Sequence, residues 1–209
     1  MPSKLRVRYI FRPLVNLIAK GLIKLGVSPN LATIIMFCFS LLCFVSLVFF
    51  QNLFYFSLFV FATGIMDGCD GAIARITNKS TKFGGFFDSF MDRFSEFFIF
   101  FGLLIYSEKK VLLIGIDVKL IVFISFVASI MISYARARAE VMFKGDYDIG
   151  LMARSERLFY LFITMIISFF YGFMNEFIFI FMCLVIVTLI FRIVNIHKQI
   201  KKSEEEKLI

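Results

Sequence analysis

The chain has 209 residues, of which 60% are hydrophobic and 31 are phenylalanine, far more apolar than a soluble domain of this length needs for its core. This composition excludes a soluble globular enzyme and predicts an integral membrane protein. Lysine and arginine outnumber aspartate and glutamate by 23 to 15, which favours anionic headgroups or an anionic substrate as partners. Nucleic acid is not an expected partner, because the basic residues stand at the ends of apolar segments.

The first 27 residues predict an amphipathic helix at the membrane interface, because basic and apolar residues are interspersed without an uninterrupted apolar core. Six apolar runs follow, each long enough as a helix to cross about 30 Å of hydrocarbon: 31–50, 53–75, 84–106, 116–139, 154–173 and 175–197. The predicted fold class is therefore an all-α membrane bundle of about six transmembrane helices. We expect a single domain over 1–209, with the interfacial helix at 1–27, the bundle at 28–198 and a charged tail at 199–209.

Basic residues in the connections predict the orientation. They occur before residue 27, at 75–82, from Arg136 to Arg157, and after Lys198. The connections at 51–52, 107–110 and 171–176 lie on the opposite side. The chain is therefore predicted to cross the cell membrane several times. By the positive-inside rule, both termini and the acidic segment at 64–96 face the cytoplasm.

Four aspartates in the segment 64–96 require explanation. Asp67 and Asp70 are three residues apart, and Asp88 and Asp92 are four apart, so each pair shares one helix face. Unpaired carboxylates at membrane depth are costly and repel one another, so protons or cations must neutralise them. Ligands that are all oxygen favour a hard divalent ion, Mg²⁺, Mn²⁺ or Ca²⁺. Four carboxylates could hold two such ions.

Glycines and a cation accompany these acids. Gly71, Gly84 and Gly85 leave room for a ligand or a helix beside the carboxylates, and Arg75 offers a fixed cation for a phosphate. Together they indicate phosphate-ester chemistry, because two divalent ions with carboxylate ligands promote displacement at phosphorus. Two alternatives stay open: intramembrane salt bridges to Arg75 or Arg93, and the ion pathway of a cation transporter.

The acids and their neighbours form a motif of eight fixed positions that resembles the signature of the CDP-alcohol phosphatidyltransferase family: Asp67, Asp70, Gly71, Ala74, Arg75, Gly84, Asp88 and Asp92. The resemblance implies a homodimer that uses a CDP-lipid and releases CMP. It implies two Mg²⁺ or Mn²⁺ ions surrounded by Asp67, Asp70, Asp88 and Asp92, with Asp92 also the general base. The implied CDP-lipid contacts are Asn30, Leu31, Ala32, Thr33, Asp67, Gly71, Arg75 and Thr81. Helix capping alone would also explain the residue types at 28–33.

A second segment, residues 133–158, is rich in arginine. Arg136 and Arg138 lie about 200° apart on a helix and cannot face one pocket, whereas Arg154 and Arg157 can. Converging arginines suit a phosphorylated acceptor, because a dianion accepts several charge-assisted hydrogen bonds. Membrane anchoring by the positive-inside rule is the alternative for any single arginine.

Within the family, this segment resembles the phosphatidylinositol phosphate synthase group, with Arg136 where that group has lysine and Ala153 where it has glutamate. The matching positions are Ser133, Tyr134, Ala137, Arg138, Ala139, Glu140, Arg154, Glu156 and Arg157. The resemblance implies transfer from CDP-diacylglycerol or CDP-archaeol to myo-inositol phosphate. The implied phosphate-binding residues are Ser133, Arg136, Arg154 and Arg192, with Arg138 and Arg157 as further candidates. Glycerol 3-phosphate stays open as the acceptor, because it presents a similar dianion.

Overall fold

The computed structural model describes residues 7–107, 115–142 and 150–205, which contain eight helices and no β-strand. The helices are α1 (Val7–Ile10), α2 (Arg12–Lys24), α3 (Pro29–Val48), α4 (Leu53–Ile76), α5 (Lys82–Tyr106), α6 (Val118–Met142), α7 (Arg154–Tyr171) and α8 (Met174–Glu205). Parts of the sequence predictions lie outside the described residues: the first six residues of the interfacial helix, most of the connection at 107–110, the basic residue Lys144 and the end of the tail.

The all-α class is confirmed, and each of the six predicted apolar runs corresponds to one helix from α3 to α8. Four of the described helices are long and apolar enough to cross a membrane: Pro29–Val48, Leu53–Ile76, Val118–Met142 and Met174–Lys201. Helices α5 and α7 have 25 and 18 residues but carry several charged side chains. The count of six spans and the interfacial position of the N-terminal helix therefore stay predictions.

Local signals set the helix starts nearest the acidic segment. Helix α3 begins with Pro29 after Ser28, whose Oγ accepts a hydrogen bond from the backbone N–H of Leu31 at 3.3 Å. Helix α5 begins after Thr81, whose Oγ1 accepts from the N–H of Gly84 at 2.9 Å. Helix α3 packs against both α4 and α5. It therefore holds the two acid-bearing helices in place.

Two apolar clusters support this arrangement. One joins α2, α3 and α4 through Ala19, Met36 and Cys69, and Cys69 is next to Asp70 in the acidic segment. The other lies farther along the bundle and brings together large side chains such as Phe56 and Phe181. Because both clusters include residues of α4, this helix is fixed along most of its length. The aspartates that it carries therefore stand on a well-supported element.

Helix α5 packs closely against α3 at Gly102. A Cβ built on Gly102 would lie 3.2 Å from the Cα of Phe44, a backbone atom that cannot rotate away. We expect Gly102→Ala to lower the free energy of unfolding by about 1–3 kcal/mol, as overpacking does elsewhere. Gly85→Ala on the same helix is the matched control, because nothing lies within 4 Å of its added Cβ. Thermal unfolding in detergent measures both, and equal melting temperatures would contradict the close packing.

Candidate active site

The structure brings the four aspartates together. Carboxylate oxygens of Asp67, Asp88 and Asp92 all lie within 4.8 Å of one another. Asp70, one turn after Asp67 on α4, is outside this group of three but borders the same cavity. It is 6% exposed and accepts a hydrogen bond from Thr33 Oγ1 at 2.8 Å. The acids of α4 and α5 therefore form one cluster, with Asp70 held by α3.

The cluster fits a hard divalent cation. The Oδ1 atom of Asp88 is buried and accepts no hydrogen bond from the residues that the structure describes. Such an atom is costly unless a cation or a donor approaches it. Mg²⁺ and Mn²⁺ prefer oxygen ligands, and the three clustered side chains offer only carboxylates. The donor set and the unsatisfied oxygen both indicate a metal site.

One arginine from a distant part of the chain reaches the acids. Arg154, at the start of α7, donates through Nη1 to the carboxylates of Asp67 and Asp92. Its Nη2 lies 3.4 Å from the Sδ of Met36. These contacts fix α7 against α3, α4 and α5. One guanidinium cannot neutralise four carboxylates, so the cluster still requires other cations.

Arg93 and Arg75, the two arginines close to the aspartates in sequence, do not pair with them as Arg154 does. Arg93 donates to the backbone carbonyl of Ser89 on its own helix. Arg75 is exposed, and its Nη1 lies 3.2 Å from the position that a Cβ on Gly71 would take. Gly71 thus leaves space for the Arg75 side chain beside the cluster. Among the residues that the structure describes, neither Arg75 nor Arg93 forms the salt bridge that the sequence left open, whereas Arg154 forms two.

Two open cavities meet at the acid cluster. The large cavity has a volume of about 570 Å³ and the small cavity about 180 Å³. Both are lined by Asp70, Gly71, Arg75 and Asp88. These shared residues form the boundary between two spaces. A substrate in each cavity could therefore meet the other beside the carboxylates.

The small cavity contains most of the predicted CDP-lipid contacts. Beyond the shared residues, its lining includes Asn30, Thr33 and Thr81. Leu31 and Ala32 are predicted contacts whose side chains lie elsewhere, since Leu31 is 43% exposed and Ala32 is fully buried in the core. On a helix, residues three apart share a face and the two between them do not. Asn30 and Thr33 therefore point into the cavity together.

The large cavity contains Asp67 and Asp92 along with the shared residues, and two of the predicted acceptor residues, Arg136 and Arg154. The sequence predictions missed the part of the lining that α1 and α2 provide through Arg8, Arg12 and Asn16. Their spacing of four residues was the signal that could have identified a common face.

The other arginines and Ser133 lie outside both cavities. Arg157 is 1% exposed and donates to Glu96 and to the carbonyl of Met152, while its Nη2 is 3.4 Å from Ser133 Oγ. Arg192 is buried and donates to the carbonyl of Ile132 at 3.0 Å. Arg138, the remaining candidate, is exposed and lines neither cavity. These side chains support or flank the site.

The chain is similar to known proteins in sequence and in fold. The family model described as CDP-alcohol phosphatidyltransferase matches residues 26–194. The archaetidylinositol phosphate synthase of Pyrococcus horikoshii is 37% identical over 164 residues, which cover 78% of this chain and 81% of that protein. The phosphatidylinositol phosphate synthase of Mycobacterium marinum is 33% identical over 155 residues, covering 72% of this chain and 63% of that protein.

Two crystal structures of the phosphatidylinositol phosphate synthase of Mycobacterium tuberculosis share the fold. The one with CDP-DAG bound has a TM-score of 0.75 and 26% identity, and the match covers 88% of this chain and 94% of that one. The one in complex with manganese and citrate has a TM-score of 0.75 and 27% identity, with coverage of 87% and 88%.

Proposed function

Because the chain belongs to the CDP-alcohol phosphatidyltransferase family, we propose that it transfers the phosphatidyl-type group of CDP-diacylglycerol or CDP-archaeol to myo-inositol phosphate and releases CMP. The family consists of membrane enzymes that use a CDP-lipid, an alcohol and divalent metal ions. The cation transporter was considered to explain the clustered aspartates, and membership of this enzyme family explains them as metal ligands instead. Two relatives named as inositol phosphate lipid synthases support the choice of acceptor.

The observation that carries the proposal is the meeting of the two cavities at the acids. Displacement at phosphorus places the attacking and leaving oxygens on opposite sides. A nucleotide in the small cavity and an acceptor in the large cavity would meet at Asp70 and Asp88, which line both cavities. The small cavity carries most of the predicted CDP-lipid contacts, and the large cavity carries arginines suited to a phosphorylated acceptor.

In the proposed reaction, Asp67, Asp70, Asp88 and Asp92 would hold two Mg²⁺ or Mn²⁺ ions, and these ions would stabilise the charge on the diphosphate when bound. Asp92 accepts the proton of an inositol hydroxyl. The hydroxyl oxygen forms a bond to the lipid-side phosphorus while the bond from that phosphorus to CMP breaks. Arg75, which lines both cavities, binds the diphosphate.

Of the residues predicted to bind the acceptor, some would contact its phosphate and others would hold the helix that carries those contacts. Arg136 and Arg154 line the large cavity and would bind the phosphate of inositol phosphate. Arg136 pairs with Glu140 at 2.7 Å on the surface of α6, an exposed pair that a substrate phosphate can replace at small cost. Ser133 and Arg192 would act from behind the cavity wall by holding α6.

The proposal also includes an assembly and an orientation. The basic connections favour a cell-membrane protein with both termini and the active site on the cytoplasmic side. The family resemblance favours a homodimer. The chain would act as one domain over residues 1–209.

Purified protein with a CDP-lipid and Mg²⁺ or Mn²⁺ tests the proposal through CMP release. We expect release with inositol 1-phosphate, and at least about tenfold less with free inositol or serine, because these lack the dianion that several charge-assisted hydrogen bonds would bind. Glycerol 3-phosphate is the critical comparison. Release with glycerol 3-phosphate alone would contradict the inositol acceptor, and no release with any acceptor would contradict the transferase reaction.

A further inference from the structure

We propose that the N-terminal helices form a wall of the acceptor site and that Arg12 binds the acceptor's phosphate monoester. The polar stripe formed by Arg8, Arg12 and Asn16 lines the large cavity together with Arg136 of α6 and Arg154 of α7. This inference rests on the proposed function and adds to its site residues. It gives α1 and α2 a role in substrate binding in addition to anchoring at a membrane.

The stripe is continuous because the helical rotation continues across the bend between α1 and α2. The N–H of Phe11 donates to the carbonyl of Val7 at 3.1 Å, and the N–H of Val15 donates to the carbonyl of Phe11 at 2.9 Å. Residues four apart on such a path share a face. The three members of the polar stripe therefore point the same way.

Close packing fixes the stripe beside the acids. A Cβ built on Gly68, the residue after Asp67, would lie 3.1 and 3.2 Å from the two Cγ atoms of Val15. The ring of Phe11 lies 5.8 Å from the ring of Phe61 on α4 and 5.5 Å from that of Phe159 on α7. The junction of α1 and α2 thus contacts both helices that carry Asp67 and Arg154.

Arg12 is the cation of the stripe best placed to receive a phosphate. It is exposed and makes no hydrogen bond or ion pair with any residue that the structure describes. By contrast, Arg154 is engaged by Asp67 and Asp92, and Arg136 pairs with Glu140. A dianion that enters the large cavity therefore meets in Arg12 a guanidinium that needs no prior separation from a carboxylate.

The position of the stripe favours the acceptor over the CDP-lipid. Arg12 lines only the large cavity, whereas Asn30, Thr33 and Thr81, which are predicted to contact the CDP-lipid, line only the small cavity. The neighbouring Asn16 offers an amide donor and acceptor that suit hydroxyl groups next to the phosphate. A phosphorylated polyol combines these two groups.

Arg12→Gln tests the inference, with Lys24→Gln as the matched control. Lys24 lies on the same helix, is exposed and lines neither cavity, and its substitution removes the same charge. We expect Arg12→Gln to raise the KM for inositol 1-phosphate about tenfold, the effect of losing one charge-assisted hydrogen bond. The KM for the CDP-lipid should stay within about twofold, and Lys24→Gln should match the wild type. Arg12→Lys, which keeps the charge, should recover most of the affinity for the acceptor.

Three outcomes of the kinetics would overturn the inference. If Arg12→Gln raised the KM for the CDP-lipid and left the KM for the acceptor unchanged, the polar stripe would bind the phosphate of the lipid. An equal rise in the KM for the acceptor in Arg12→Gln and Lys24→Gln would show that the effect comes from the overall surface charge and not from a contact made by Arg12. Unchanged kinetics in Arg12→Gln would contradict the proposed contact directly.

Calorimetric titration with inositol 1-phosphate separates this inference from the proposed function, because it requires no turnover. Weaker binding to Arg12→Gln than to Lys24→Gln supports the stripe even if CMP release is absent. Equal dissociation constants overturn the stripe even if the wild type makes the proposed lipid. Melting temperatures of the two variants in detergent show that the comparison is made on folded protein.

Discussion

Asp92→Asn is expected to lower kcat for CMP release by about 10³-fold, within the range of general acid-base catalysis. The substitution keeps the shape of the side chain but removes the charge and the proton-accepting oxygen. It also removes one of the three clustered carboxylates that fit a divalent ion. The affinity for Mn²⁺, measured by titration of the purified protein, should fall together with the rate.

The folded state should tolerate this change. Arg154 loses one of its two carboxylate partners but keeps Asp67, so no buried guanidinium is left unpaired. Asp117→Asn is the matched control, because Asp117 is exposed and accepts a hydrogen bond from the N–H of Lys119 at 2.9 Å, as an asparagine can. Turnover in Asp92→Asn above about one tenth of wild type would contradict its role as the base.

The acid cluster was predictable because its signal is local. Two spacings of three and four residues place the aspartates on helix faces, and long apolar runs leave helices as the only candidates for those residues. The starts of α3 and α5 follow equally local rules, a capping hydroxyl before each helix. Each inference depends on residues within about one turn, where helix geometry fixes which side chains are neighbours.

The partners of the cluster were not predictable in the same way. Arg154 lies 87 residues from Asp67 and 62 from Asp92. Which residues of α6, α7 and α8 face the cavity depends on how each helix is rotated by its packing. This rotation turns Arg192 to the carbonyl of Ile132 and buries Arg157, two arginines that composition alone could not distinguish from Arg154.

The N-terminal helices illustrate the same limit. Their alternation of basic and apolar residues indicates an amphipathic helix, and lipid headgroups suffice to explain it. Only the close approach of Val15 to Gly68 shows that one part of this helix meets α4 beside Asp67. A glycine beside an aspartate can make room for a ligand or for a neighbouring helix, and the sequence does not show which of the two it does.

Glu96→Ala is expected to destabilise the fold more than any other single substitution considered for this chain. Glu96 is 4% exposed and accepts from Arg157, whose side chain is 1% exposed, at 2.8 Å. Removing one partner of a buried ion pair costs about 3–5 kcal/mol, because the other charge is left without compensation. Thermal unfolding in detergent should show a fall of about 10 °C in melting temperature, from the usual scaling for chains of this length.

Glu140→Ala provides the matched control. This substitution removes the carboxylate that pairs with Arg136. The side chains of Arg136 and Glu140 are 41% and 43% exposed, so the free energy of unfolding should fall by less than about 1 kcal/mol. Equal melting temperatures for Glu96→Ala and Glu140→Ala would contradict the burial of the first pair.

The double variant Glu96→Leu with Arg157→Met separates charge from packing. Replacing both partners of a buried pair by apolar side chains is often neutral or stabilising, since no charge remains to be compensated. We therefore expect the double variant to recover most of the stability that Glu96→Ala loses. Arg157 also donates to the carbonyl of Met152 just before α7, and its Nη2 lies 3.4 Å from Ser133 on α6. A double variant as unstable as Glu96→Ala would show that these contacts, rather than the ion pair, hold the start of α7 and hence Arg154 in place.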